Sequence, residues 1–170
     1  LVISLGALLD AVPHTREVRI TGRASNKELS EKAQWLGIQN SGYQGPTGIH
    51  SAFADACSKR KLPHANIWSH CPHYVQTSPN PIASYALLER LKNLVDFDLD
   101  MSELRLAGEA FQEEVSKAIA KQPDVKSYVT RLETQYDEAR LESEDMPTGS
   151  DMVNEIEKFL RSQSGGQDGQ

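Results

Sequence analysis

The first 95 residues alternate between short apolar runs and amphipathic segments. Residues 1–9 are almost entirely apolar, which predicts a buried strand. Residues 16–22 alternate apolar and polar positions and predict a second strand with one polar face, and residues 64–69 predict a third. Residues 48–60 carry apolar side chains at i, i+3, i+4 and i+7, the spacing of a helix that packs on a sheet. This alternation is typical of the α/β class.

Two of the predicted helices begin with recognisable capping residues. Ser25 and Glu28 have the spacing of a capping box, in which a hydroxyl and a carboxylate bind free amides at the start of a helix that ends near Leu36. Asn80 followed by Pro81 predicts another start, because Asn caps free amides and Pro loses no hydrogen bond at the first position. The helix that follows, residues 82–95, is apolar on most sides and is expected to be well buried.

After Asp100 the pattern changes to amphipathic helices, which Pro123 and residues 146–149 separate. We therefore assign residues 1–95 to an α/β sandwich domain, residues 96–162 to a helical extension packed on or beside it, and residues 163–170 to a flexible tail. Three strands are few for a sheet covered on both faces, and the apolar run starts at the first residue. We expect the N-terminal part of the domain to be absent from this chain, with a small domain that begins on an edge strand as the alternative.

Composition narrows the classes of function. No apolar run approaches the roughly 18 residues of a membrane span, and residues 1–9 lack the features of a signal peptide, so we expect a cytoplasmic protein with no membrane partner. Residues 1–95 hold ten Lys/Arg and six Asp/Glu, whereas residues 96–160 hold seven and seventeen, so the acidity belongs to the C-terminal helices. The basic residues are scattered without interleaved aromatic side chains, which disfavours nucleic-acid binding. Two cysteines are too few for a disulfide framework.

Three predicted loops are expected to meet at the edge of the sheet where the strands end, the usual place for a ligand in open α/β sheets. Residues 12–16 combine a proton donor with a guanidinium that binds anions. Residues 42–49 are rich in glycine and precede a helix, where free backbone amides face an anion. Residues 70–80 follow a buried strand that ends at Ser69. The candidate ligand-binding residues are His14, Arg16, Tyr43, Gly45, Thr47, Gly48, His73 and Asn80.

Other chemistry in these loops has less support. His70, Cys71 and His73 are close in sequence, but structural zinc sites use four well-spaced ligands. Cys71 activated by His70 or His73 is chemically reasonable as a nucleophile, although neighbours on an extended loop tend to point apart. We predict no metal and no cofactor. Each loop also has a purely structural interpretation, in which its glycines and polar residues shape helix and strand ends.

Several short motifs occur in a characteristic order. They are Leu5-Gly6-Ala7-Leu8, Pro13-His14-Thr15-Arg16, Tyr43-Gln44-Gly45-Pro46-Thr47-Gly48-Ile49, Trp68 followed by Pro72-His73-Tyr74-Val75, Pro79-Asn80-Pro81, Tyr128-Val129-x-x-Leu132-Glu133, and Glu155-x-Glu157-x-Phe159-Leu160-Arg161. Their order and spacing resemble the proteasome assembly chaperone 2 family in its stand-alone bacterial form. The resemblance implies an α/β/α three-layer sandwich similar to the phosphorylase/hydrolase-like fold, with half of the domain preceding Leu1. It supplies no agreed catalytic residues, and the namesake chaperones act through protein contacts.

Two functions follow from this reading. The first is a non-catalytic interaction protein with a protein partner or with self-association, in which the acidic helices cover the partner. The alternative is a phosphorylase/hydrolase-type enzyme that acts on an anionic small molecule. There, the Gly45 and Gly48 amides and Arg16 would hold the anion, and His14 or His73 would move a proton. The residues favour the first function, because no convincing pair of nucleophile and base is present.

Overall fold

The computed structural model describes the backbone of residues 1–40 and 48–145 and the side chains of residues 1–40 and 48–141. Within these ranges, the alternation of strands and helices is confirmed as a mixed α/β fold. The elements in chain order are β1 (Val2–Asp10), β2 (Ile20–Ala24), α1 (Lys27–Trp35), β3 (Gln39–Asn40), α2 (Ile49–Lys59), β4 (His64–Pro72), α3 (Pro81–Val95), α4 (Ser102–Ala120) and α5 (Pro123–Asp145).

The strands form one sheet in the order β1-β4-β2-β3. Strand β4 is parallel to β1, with Leu8 beside His70, and antiparallel to β2, with Ile20 beside Ser69. The two-residue strand β3, which sequence reasoning missed, pairs parallel to β2. The carboxyl ends of β1 and β4 and the beginning of β2 therefore lie at one edge of the sheet.

Helices contact both faces of the sheet. Ile67 of β4 is 1% exposed and belongs to an apolar core with Ile20, Ile38 and Leu94, against which residues of α1 and α3 pack. The next residue, Trp68, points to the other face because side chains alternate along a strand. There the ring of His50 in α2 meets the Trp68 ring edge-on, with the centroids 4.5 Å apart.

Two glycines allow close packing. A Cβ atom on Gly6 of β1 would lie 2.5 Å from the Trp68 ring, so only glycine leaves room for that side chain. A Cβ atom on Gly108 of α4 would lie 3.2 Å from the Cα atom of Ile82 in α3. Helices α3 and α4 therefore cross almost backbone to backbone, which positions α4 beside the end of the sheet.

The predicted capping box at Ser25 is wrong. Helix α1 begins one residue later, where the Asn26 side chain accepts a hydrogen bond from the Leu29 amide at 2.8 Å. The Ser25 hydroxyl instead accepts a hydrogen bond from the His64 amide at 2.9 Å. The serine thus joins the end of β2 to the start of β4, a tertiary contact that a local motif does not show.

Three other boundaries and burials also differ from the predictions. Strand β2 begins at Ile20 rather than at residue 16, although the Arg19 carbonyl still accepts a hydrogen bond from the His70 amide of β4 at 3.0 Å. Strand β4 continues to Pro72, so that His70 and Cys71 are strand residues and not loop residues. Helix α3 buries only Ala83 and Leu94 fully, whereas its composition predicted burial on most sides.

The chain divides into two compact units, Leu1–Glu133 and Thr134–Gln170. Of the second unit, the described part is the end of α5. The predicted break at residues 146–149, the late motif and the tail at 163–170 lie outside the described residues. Among the helices in the described ranges, none combines the length and apolar composition that crossing a membrane requires.

Candidate functional site

The loop between β1 and β2 and the segment after β4 meet at the end of the sheet. The His73 backbone amide donates to the carbonyl oxygen of Asp10 at 3.0 Å, and the His73 Nδ1 atom lies 3.0 Å from the same oxygen. The Nε2 atom of His73 lies 3.4 Å from the Tyr128 hydroxyl of α5. His73 therefore holds the last residue of β1 and also contacts a C-terminal helix.

His14 is bound on both sides of its ring. Its backbone amide donates to the Tyr74 hydroxyl oxygen at 2.8 Å, and its Nδ1 atom lies 2.9 Å from the same oxygen. Its Nε2 atom lies 3.1 Å from the Ser116 hydroxyl of α4. The Gln112 side chain of α4 donates to the His14 carbonyl at 2.8 Å. Both the ring and the backbone of His14 thus tie the loop to α4.

Arg16, the predicted anion-binding residue, is paired with a carboxylate of the protein itself. Its guanidinium lies 3.5 Å from the Glu133 carboxylate of α5. The Thr15 hydroxyl donates a hydrogen bond to the same carboxylate oxygen. Glu133 therefore provides the guanidinium with a carboxylate partner from within the protein.

Aromatic and apolar contacts support these polar ones. The rings of His73, Tyr74 and Tyr128 meet edge to face, with centroids 5.6 to 6.2 Å apart. Val129 and Leu132, on the same part of α5, are each 4% exposed. We call this region the loop junction and define it by His14, Thr15, Arg16, His73 and Tyr74 from the loops and Gln112, Ser116, Tyr128 and Glu133 from α4 and α5.

A second polar chain runs across the sheet beside the loop junction. The Asp10 carboxylate lies 2.6 Å from His70 Nδ1, and His70 Nε2 lies 2.9 Å from the Thr21 hydroxyl. These distances match an acid, base and nucleophile arrangement. Thr21 is only 4% exposed and His70 only 9%, so that a substrate has no route to the hydroxyl in the described structure. The chain is better suited to joining β1, β4 and β2.

Sequence reasoning missed this chain, although it noticed His70. Asp10 and Thr21 are distant in sequence from each other and from His70, and only the strand order β1-β4-β2 brings them together. Burial raises the pKa of Asp10, but hydrogen bonds from His70 and from the Ala11 amide outweigh it and hold the pKa below its ordinary value. The carboxylate is therefore charged at neutral pH.

Cysteine and metal chemistry gain no support from the described residues. Cys57 and Cys71 are both buried and free. Burial raises the pKa of the Cys71 thiol, which reduces the thiolate that a nucleophile needs. His70 bonds to Asp10 and Thr21 rather than to the thiol. Nowhere in the described ranges do three or more His, Cys, Asp or Glu side chains form a group that could hold a metal ion.

The space inside the loop junction is small. A cavity of about 20 Å³ lies among residues that include His14, Arg16, His70, Asn80 and Phe111. That volume holds about one water molecule. A wider groove of about 450 Å³ runs along β1 and α3, where Leu5, Leu9 and Leu87 are among its lining residues. The groove also reaches Asn80, but not the histidines of the junction.

The other predicted site residues are distributed differently. Asn80 caps α3, since its side chain accepts from the Ala83 amide at 3.1 Å. Gly48 caps α2 and has open space around its Cα atom. Tyr43, Gly45 and Thr47 lie outside the described residues. The structure thus brings His14, Arg16 and His73 together. Sequence reasoning did not identify the helix residues that these loops contact, which are Gln112, Ser116, Tyr128 and Glu133.

Comparison with known proteins identifies the family. The model of the PAC2 family matches residues 1–119, so the chain belongs to this family. No curated protein shows significant similarity to the chain. A PAC2 family protein from Streptomyces avermitilis is 37% identical, with a TM-score of 0.63 over 75% of this chain and 52% of that one.

Two further solved structures are similar to the chain. A proteasome-assembly chaperone homologue from Mycobacterium tuberculosis is also 37% identical, with a TM-score of 0.63 and coverage of 75% and 52%. A protein of unknown function from Corynebacterium glutamicum is 25% identical, with a TM-score of 0.72 and coverage of 83% and 51%. The chain spans about half the length of these solved relatives.

Proposed function

We propose that this protein is a non-catalytic, assembly-chaperone-like protein that acts by binding other protein chains. The observation that carries the proposal is its membership of the PAC2 family together with its 37% identity to a proteasome-assembly chaperone homologue. Because the chain covers only half of that relative, the activity of the whole protein is part of the proposal.

The chemistry of the loop junction supports the same proposal. His14, Arg16 and His73 have partners within the protein, and the cavity beside them has room for about one water molecule. A junction of this kind holds helices α4 and α5 in place, which is a requirement for a surface that recognises a partner. An enzyme that acts on an anionic small molecule finds no support among the described residues.

Large apolar side chains at the surface also support protein contacts. Trp35 of α1 is 87% exposed and Ile49 of α2 is 80% exposed. Aromatic side chains are enriched where one protein binds another, so the exposed Trp35 fits a binding surface. We expect the partner to be proteasome subunits or their assembly intermediates, or a second copy of the protein itself.

The test is a binding experiment with the full-length protein. Purified proteasome α and β subunits from the same organism are mixed with it and analysed by size-exclusion chromatography with light scattering. We expect a complex with subunits or with a partly assembled particle, and faster assembly when the protein is present. Elution of the protein as a lone monomer, with no change in the rate of assembly, would contradict the proposal.

We further propose that a strand outside residues 1–170 completes the sheet at β1. Strand β1 stands at the edge of the described sheet, and its Leu5 and Leu9 side chains are 39% and 61% exposed. The solved relatives, which are about twice as long as the chain, support this proposal. Amide exchange in β1 should be slower in the full-length protein than in residues 1–170 alone, and equal exchange would contradict it.

A further inference from the structure

The hydrogen bonds around His14 favour one position for its ring proton. The Ser116 hydroxyl donates to the Gln112 carbonyl at 2.8 Å, so its oxygen accepts from His14 Nε2 at 3.1 Å. The Tyr74 oxygen accepts from the His14 backbone amide at 2.8 Å, so its own proton points to His14 Nδ1 at 2.9 Å. All of these groups are satisfied together when the ring is neutral with its proton on Nε2.

From this geometry we propose that His14 is an acid-sensitive latch, which holds α4 on the β1–β2 loop while its ring is neutral and loosens when the ring takes up a proton. The latch adds regulation to the protein, and it does not depend on which partner the protein binds. It acts through the loop junction, where the same loop also meets Glu133 of α5.

Protonation disturbs the hydrogen bonds on one side of the ring. A second proton must go to Nδ1, which then donates to the Tyr74 oxygen instead of accepting from it. That oxygen would face two donors, the His14 amide and Nδ1, while the hydroxyl proton of Tyr74 would lose the acceptor it has in the structure. The junction is weakened in two ways: the part-buried Tyr74 hydroxyl loses its hydrogen-bond partner, and the His14 ring carries a positive charge next to α4.

The groups around the ring come from four parts of the chain. Tyr74 lies after β4, and Ser116 and Gln112, which are uncharged, belong to α4. Glu133 comes from α5, and Arg16 of the same loop is paired with it. Glu17, Arg19 and His70 line the adjoining cavity.

The surroundings favour the neutral ring. Burial lowers the pKa of His14, and the Glu133 carboxylate opposes this only in part, so the pKa lies below its ordinary value of 6.5. A histidine whose pKa is lowered in the folded state makes its full contribution to stability above pH 6.5. The stabilisation is lost as the pH falls from 6.5 through the folded-state pKa, because the unfolded chain then binds the proton more readily.

The test is an NMR titration of the full chain with ¹⁵N-labelled histidine, combined with amide exchange. We expect the His14 ring to carry its proton on Nε2 and to titrate below pH 6.5. We also expect the ratio of amide exchange rates in α4 to those in β4 to be higher at pH 5.5 than at pH 7.5. In Tyr74→Phe, the pKa of His14 should rise, because the donor that opposes protonation of Nδ1 is gone. A His14 ring whose Nδ1 does not accept a hydrogen bond from Tyr74 would not show this rise.

A pair of variants isolates the latch. His14→Gln should remove the pH dependence of amide exchange in α4. The control is His64→Gln, which should keep that pH dependence, because the His64 ring contacts only the nearby Leu62 carbonyl in the described structure. A proton on Nδ1, a pKa at or above 6.5, or an unchanged pH response in His14→Gln would overturn the proposal. If His14→Gln does not fold, the tautomer and pKa in the wild-type chain decide the question alone.

Discussion

Two histidines at the same end of the sheet, the buried His70 and the part-buried His14, have different partners. His70 lies between the Asp10 carboxylate and the Thr21 hydroxyl and joins three strands. His14 lies between the Tyr74 and Ser116 hydroxyls and joins a loop to α4. The first chain is therefore part of the sheet, and the second attaches helices to it. Both use catalytic residue types for internal structure.

The largest expected change in stability comes from removing His70, compared with removing a histidine outside the polar chain. His70→Ala should destabilise the protein by about 2 to 4 kcal/mol, because it leaves the buried Thr21 hydroxyl and the Asp10 carboxylate without their partner. His64→Ala, at the start of the same strand, is the matched control and should cost less than about 1 kcal/mol. Urea denaturation measures both values. A similar loss of unfolding free energy in the two variants would show that the polar chain across the sheet adds little stability.

A smaller effect is expected at the loop junction. Tyr74→Phe should cost about 1 to 3 kcal/mol, because the His14 amide and Nδ1 both lose a part-buried partner. Tyr85→Phe removes a hydroxyl that lies 3.3 Å from Glu89 within α3 and should cost less than about 1 kcal/mol. If Tyr85→Phe proves as costly as Tyr74→Phe, the comparison between the junction and an ordinary helix contact fails.

The two histidine chains should lose stability in different pH ranges. The lowered pKa of His14 predicts a decline in the free energy of unfolding as the pH falls below 6.5. The lowered pKa of Asp10 predicts a second decline below its ordinary value of 3.8, since its stabilisation is complete above that pH and is lost through the folded-state pKa. Denaturation between pH 8 and 3 should show both steps. His14→Gln should remove the upper step and leave the lower one, whereas Asp10→Asn should reduce the lower step and leave the upper one.

The smallest effect concerns the charge of Glu133. Glu133→Gln keeps an oxygen for the Thr15 hydroxyl but removes the ion pair with Arg16, and it should cost about 0.2 to 1 kcal/mol. The carboxylate raises the pKa of His14, so the same variant should lower that pKa further. NMR titration detects the direction of the shift. A rise in the pKa of His14 in Glu133→Gln would show that other charges control this ring.

The sequence was sufficient to predict the fold class and most elements. The apolar run of β1, the helical spacing in α2 and the Asn80 cap of α3 all depend on neighbours a few residues away. Ser25 was misread because a local capping motif competed with a contact to His64 across the sheet. Strand β3 has only two residues and is too short to show a periodic pattern.

The convergence of His14, Arg16 and His73 at one end of the sheet could be predicted, but their bonding partners could not. The rule that loops gather where strands end indicated the region of His14, Arg16 and His73. Their partners could not be predicted, because Ser116 is 102 positions from His14 and Glu133 is 117 positions from Arg16. A guanidinium and a histidine in a loop have the same sequence signature whether they bind a ligand or a helix of the same chain.

The most direct test of this account is a double-mutant cycle across His14. Tyr74→Phe and Ser116→Ala remove the partners on opposite sides of one ring, and His14 is the group among the described residues that hydrogen-bonds to both. If the junction is an internal joint, the two losses should not add, and the coupling energy should be at least about 0.5 kcal/mol. Additive losses within error would contradict the central claim that His14 links the loop to α4.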